Sequence, residues 1–217
     1  MIILFSTRSP HGPVVRNLAL VFCLIFGAFA GSAFATSVVP PDFAMLVNES
    51  DYIVHTVVKS VSSEWKDKQG HRAIFTLVEL EVVEVISGQP PQPLVLEMLG
   101  GRVGDEEMVV QGMPKFKVGQ EDILFVRGNG RQFYPLTAAM HGRYPIVRES
   151  GGRVHMARSN QVPLHDTAEV ALPIEDDGTG GIKVAARTDR VALSPDDFTR
   201  QIRATVNPNY RRSARAK

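Results

Sequence analysis

The sequence predicts a mainly β fold, a small β-barrel with a short helix ahead of it and one helix behind it. Three observations carry that reading. Runs rich in β-branched and aromatic residues recur between Gly/Pro/Asn turn signals, at 52–61, 73–86, 94–99 and 123–126. The longest run changes parity within itself. Ile74, Thr76, Val78, Leu80 and Val82 share one face and Glu79 and Glu81 the other, until Glu84 falls on the apolar parity. A slip of that kind marks a β-bulge or sharp bend, the device by which a sheet curls toward closure. Helical signals, by contrast, are confined to two short segments near the ends.

Taken in order, Pro40-Pro41-Asp42 introduces a short helix over 43–50, started by the prolines and ended by the polar cluster 48–51. The strands at 52–61 and 73–86 follow, then the turn Ser87-Gly88-Gln89-Pro90-Pro91-Gln92-Pro93 and the strand 94–99. A short strand is expected at 108–110. The apolar strand 123–126 is closed by Gly128-Asn129-Gly130, which reads as a hairpin turn, and 133–134, 144–147 and 154–156 supply further short strands. Past residue 158 the periodicity fades, and 159–193 reads as a mobile extension. The final helix spans 194–206: Ser194 caps it, Pro195 takes the first helical position, and Phe198, Ile202 and Val206 form one apolar stripe.

The N-terminus reads as an export signal. Arg8 and Arg16 precede an uncharged run over 18–30, too short to span a bilayer, which closes in Ala33-Phe34-Ala35, a small-x-small peptidase site. Residues 1–35 are therefore expected to be a signal peptide cleaved after Ala35; an uncleaved anchor is the competing reading. A secreted or periplasmic chain results, with no transmembrane segment after cleavage. It divides into a barrel domain at 36–158, the extension at 159–193, the helix at 194–206 and a basic tail at 207–217. The only cysteine, Cys23, leaves with the signal, so the mature chain has no disulfide and is held by burial alone. The whole chain carries 24 basic and 23 acidic residues. Six of the basic ones lie in 200–217, where there is no acid, and 36–199 holds 16 basic against 23 acidic residues. An acidic body with a short basic tail is not the footprint of a nucleic-acid binder.

Motifs for chemistry are few. Of His55, His71, His141, His155 and His165, no two stand at the spacing that places ring nitrogens on one helix face for zinc. No Gly-x-Ser-x-Gly occurs. Gly100-Gly101-Arg102-Val103-Gly104 follows a strand, yet no helical pattern opens after it and it lacks a Lys-Ser/Thr pair, so it reads as a turn or bulge and not a phosphate loop. The run Asp105-Glu106-Glu107 lacks the alternating oxygen pattern of a calcium loop. No catalytic, cofactor or metal residue is assigned. If the chain is an enzyme, its site is the cluster His141, Arg143, Asp105 and Glu107 around the glycine-rich segment. If it is an envelope-associated structural protein, the basic tail is the anchor. The leading expectation is a non-enzymatic, monomeric binding module.

Two resemblances bear on this. The stretch Leu46-Val47-Asn48-Glu49-Ser50-Asp51-Tyr52-Ile53-Val54-His55-Thr56-Val57-Val58, the strand 76–88, and Gly100-Gly101-Arg102-Val103-Gly104 with 110–126 resemble a family of uncharacterised exported bacterial proteins, over about 42–147. Members of that family are thought to be encoded near matrixin-like metalloproteases, which implies another exported protein, a metalloprotease, as partner. The order of elements is also similar to the netrin-like modules of tissue inhibitors of metalloproteinases, which are OB-fold barrels, and implies an OB-like barrel here. Those inhibitors chelate zinc through a disulfide-locked N-terminal cysteine. This mature chain is expected to begin Thr36-Ser37 without one, so the resemblance implies the fold and not that inhibitory chemistry.

Overall fold

A computed structural model describes residues 40–68, 70–174 and 190–206. The expected signal peptide, the basic tail and the part of the extension at 175–189 lie outside the described residues.

The first helix, α1 (Phe43–Glu49), starts where the sequence places it. The Asp42 side chain accepts from Met45 N–H at 2.6 Å, and Leu46 and Val47 are buried. Two long antiparallel strands follow, β1 (Tyr52–Lys68) and β2 (His71–Gly88), paired from Tyr52 opposite Gly88 to Lys68 opposite His71. Both outrun the predicted 52–61 and 73–86. Beyond Val61 the residues of β1 are Ser, Glu, Lys and Asp with a single Trp65, none of them buried, while the buried Ile74 and Phe75 of β2 are adjacent and so fall on opposite parities, which leaves no apolar alternation to be read.

The bulge expected near Glu84 is present. Val82 stands opposite Thr56 and Glu84 opposite His55, which leaves Val83 without a counterpart; Ile86 is skipped in the same way between Val85 and Ser87. The consequence is the change of face that the sequence displayed. Val78 and Leu80 point into one core, whereas Ile86 points into the other and Glu84 reaches the last helix, α2 (Pro195–Thr205), to pair with Arg203.

Further strands are β3 (Leu94–Leu99), β4 (Gly101–Val103), β5 (Glu106–Met108), β6 (Glu121–Val126), β7 (Arg143–Arg148) and β8 (Val154–Met156). Six of them form one sheet in the order β3-β2-β1-β6-β7-β8, while β4 and β5 form a separate small hairpin. The fold is mainly β as predicted, but the sheet is not closed into a barrel. Closure needs β3 to pair with the strand on the far side of the curl, and the chain leaving β6 cannot serve as one. Gly128 and Gly130 adopt φ of 67° and 77°, and the run Gly128-Asn129-Gly130 makes the predicted turn: Arg127 N–H donates to Pro135 O and Thr137 N–H to Phe125 O about a bridge from Val126 to Leu136, and the returning chain meets β3 only through Asn129 and Phe133. Residues 133–134, predicted as a strand, are irregular.

Because the sheet stays open, it has a core on each face. Strand β6 alternates between them, Ile123 and Phe125 on one side, Leu124 and Val126 on the other. The first core is roofed by α1 and α2, with Phe198 and Ile202 of α2 fully buried as the predicted stripe requires, and Val206 part-exposed at the helix end. The second lies inside the curl of β3, β2, β1 and β6 and holds Val78, Leu94, Leu96 and Leu124.

Part of the predicted mobile extension belongs to the first core. Leu164 and Val170 are fully buried there, and residues 163–164 and Leu193 lace the outer edge of β8 through Leu164 N–H to Met156 O at 2.9 Å and Met156 N–H to Leu193 O at 2.8 Å. The buried Arg158 clamps this segment by donating to the carbonyls of Leu172 and Pro173. Leu164 and Val170 stand six residues apart among other apolar residues that stay at least partly exposed, such as Val162 and Leu172, so they trace no period, which is why the sequence concealed them.

One glycine is fixed by crowding. A Cβ on Gly88, whose φ is 79°, would lie 2.4 Å from Asp51 O and 2.7 Å from Tyr52 Cα, both backbone atoms with nowhere to retreat. Gly88→Ala is expected to lower the unfolding free energy by about 1–3 kcal/mol, read as a fall in the urea midpoint at unchanged slope.

Candidate functional site

The four residues of the predicted enzymatic cluster do not meet. His141 sits in a single 3-10 turn (Ala139–Gly142), buried, with Nδ1 3.2 Å from Val170 O. Burial holds its pKa below the usual histidine value; nearby Arg158 adds to that, and the Val170 bond opposes it. Arg143 is buried at the start of β7, where Nε donates to Asp122 Oδ1 at 2.9 Å, Nη1 donates to Lys115 O at 2.8 Å, and the guanidinium lies 4.4 Å from the Phe116 ring centre. Asp105 and Glu107 are exposed on the β4–β5 hairpin. Among the described residues no hydrogen bond or ion pair joins any two of the four. The glycines have a steric purpose instead. A Cβ on Gly101 would lie 2.4 Å from both Ser63 Oγ and Thr76 Oγ1, so the chain can cross the β1–β2 hairpin only if this residue has no side chain.

Other titratable groups form pairs that tie neighbouring strands together. His55 Nε2 lies 2.7 Å from Glu121 Oε1, and Arg148 donates to Glu121 Oε2 at 2.6 Å. Partial burial pushes the Glu121 carboxyl up, but the bonds from Arg148 and His55 outweigh it and hold the group below the usual range. His155 faces Glu149 and His165 faces Glu169, each at 3.5 Å. No group of three or more His, Cys, Asp or Glu among the described residues is arranged to hold a metal ion, and no described helix is long and apolar enough to cross a membrane.

What the fold presents outward is strand edge. The outer edge of β3 is occupied: the Asn129 carboxamide donates to Val95 O at 2.7 Å and accepts from Glu97 N–H at 3.1 Å, as a peptide group would, and Leu99 N–H donates to Phe133 O at 3.2 Å. Asn129 Nδ2 also reaches Tyr52 Oη at 3.4 Å. The edge of β8 is laced as described above. The free outer half of β1 carries Glu64, Lys66, Asp67 and Lys68, and charged side chains, lysine above all, discourage pairing.

The stretch of β2 after Leu80 differs. β3 pairs with β2 only from Phe75 to Leu80, so 81–87 has β1 on one side and no strand on the other. It reads Glu81-Val82-Val83-Glu84-Val85-Ile86-Ser87, with no lysine and no proline, and Val83 and Val85 are 54 % and 43 % exposed. At its end opens a shallow cleft of about 540 Å³ lined by Asp51, Tyr52, Gly88, Gln89, Asn129 and Arg131. In the sequence these residues show only strand and turn signals, which carry no sign that β3 is too short to cover them. The signal lies in the strand lengths instead, since a six-residue strand cannot shield one three times as long. The sequence matches no protein-family model, and no curated protein matches it significantly.

Proposed function

We propose that this chain is an exported, non-enzymatic binding module that offers the uncovered stretch of β2 and the adjoining cleft to another exported protein. The observation that carries the reading is the bare edge at 81–87, in a molecule whose β3 and β8 edges are occupied and whose free β1 edge is charged. Export is supported by the uncharged run over 18–30 and the Ala33-Phe34-Ala35 site. The resemblance to exported proteins encoded near matrixin-like metalloproteases makes a secreted metalloprotease the first partner to test. A photo-crosslinking residue placed at Val83, and separately at the exposed Val118 on the far side of β1, is expected to give an adduct with an exported protein from position 83 alone when irradiated in the producing cells. No adduct from position 83, or the same adducts from both positions, overturns the proposal.

A further inference from the structure

We infer that the partner binds as an added β-strand, an extended segment that alternates basic and apolar residues and pairs with the outward backbone groups of Val82 and Val85. This rests on the binding-module reading above. Which groups point outward follows from the ladder. Val58 N–H donates to Gln120 O and Val58 O accepts from Gly119 N–H, both at 2.9 Å, so Val58 turns away from β2. Its counterpart Leu80 therefore turns away from β1, toward Leu94 of β3. Backbone direction alternates along an antiparallel strand, so Glu81 turns toward β1 and Val82 outward. Val83 is the bulged residue; Glu84, opposite His55, faces β1 again and Val85 faces out. Val82 and Val85 stand opposite Thr56 and Val54, two residues apart, so the bulge leaves the outward groups one strand repeat apart. No backbone hydrogen bond outside the β1–β2 ladder involves residues 81–93 among those described.

Charge selects the occupant. Glu81 is exposed and, among the described residues, has no ion-pair partner, whereas Glu79 is paired with Lys59 and Glu84 with Arg203. A basic side chain on the incoming strand meets an unpaired carboxylate two residues from the exposed Val83. A second copy of this chain is the poorer fit: antiparallel self-pairing about Glu84 sets the two Glu84 carboxylates opposite each other, and like charges directly opposed across strands are destabilising.

The test uses the chain purified from its exporting host and two labelled hexapeptides, one alternating Lys and Val, the other alternating Glu and Val, followed by fluorescence anisotropy. The Lys–Val peptide is expected to bind saturably, at least tenfold more tightly than the Glu–Val peptide. Val85→Pro removes an outward N–H that β1 does not use, so the fold is retained and Lys–Val binding falls at least tenfold. Glu81→Lys, which touches no backbone group, is expected to reverse the preference between the peptides even if the proline variant fails to fold. Val118→Lys is expected to change neither. Unchanged affinity in a folded Val85→Pro, equal binding of the two peptides, or no saturable binding overturns the inference, as does self-association that Val85→Pro abolishes. A crosslinked adduct that persists in Val85→Pro leaves the binding-module reading standing and removes strand addition alone.

Discussion

Replacing Arg143 with alanine is expected to lower the unfolding free energy by about 3–5 kcal/mol, the cost of stranding a buried charge. Asp122 is fully buried on β6, and Arg143, 3 % exposed on β7, is the cation that faces it. Burial pushes the Asp122 carboxyl up and the guanidinium opposes that push. Without the guanidinium only the push remains. A carboxyl whose folded pKa is raised above its unfolded value supports the fold while protonated and loses that contribution as pH rises. The deficit of Arg143→Ala is therefore expected to grow from pH 5 to pH 8 in urea titrations. Arg143 also holds Lys115 O and stacks on Phe116, so the loop ahead of β6 loosens at the same time. The double substitution Asp122→Leu with Arg143→Met removes both charges and keeps side-chain volume, and is expected to cost less than the single change. A double variant as unstable as Arg143→Ala would show that packing, and not the stranded charge, sets the loss.

The second large effect belongs to α2. Phe198 is fully buried and its ring centre lies 5.0 Å from Tyr144, 5.8 Å from Phe43 and 6.1 Å from Phe125, so one side chain joins the last helix to the first and to two strands. Phe198→Ala is expected to cost about 3–5 kcal/mol through lost burial and the cavity left behind. Thermal unfolding checks the size, and far-UV circular dichroism of the folded variant reports whether α2 remains helical. A loss below about 1 kcal/mol would mean that α2 is not docked on this core.

The elements legible in the sequence are those whose signal is local. The Ser194-Pro195 start of α2, the start of α1 after Pro40-Pro41-Asp42 and the parity slip at Glu84 each depend on residues within a turn or two of one another, and each stands where it was read. The barrel was misread because closure depends on a remote pairing, and the chain after the Gly128-Asn129-Gly130 turn returns along β6 through the Val126–Leu136 bridge instead of laying a strand on β3. The candidate cluster failed for a related reason. Arg143 and His141 are close in sequence to each other and remote from Asp105 and Glu107, and burial assigned them nearer partners, Asp122 and Val170. The bare edge of β2 was written into the unequal lengths of adjacent strands, a comparison that residue patterns within one strand do not make.

The carboxamide of Asn129 gives the curl a joint unlike any other in the sheet. A ladder of peptide groups yields only when a whole strand lifts away, whereas this join rests mainly on one side chain with a few staggered positions of its own. Opening the curl at this point therefore costs the two carboxamide bonds and the single Leu99 N–H to Phe133 O bond, and no ladder of strand pairing, at a place next to the cleft beside Tyr52.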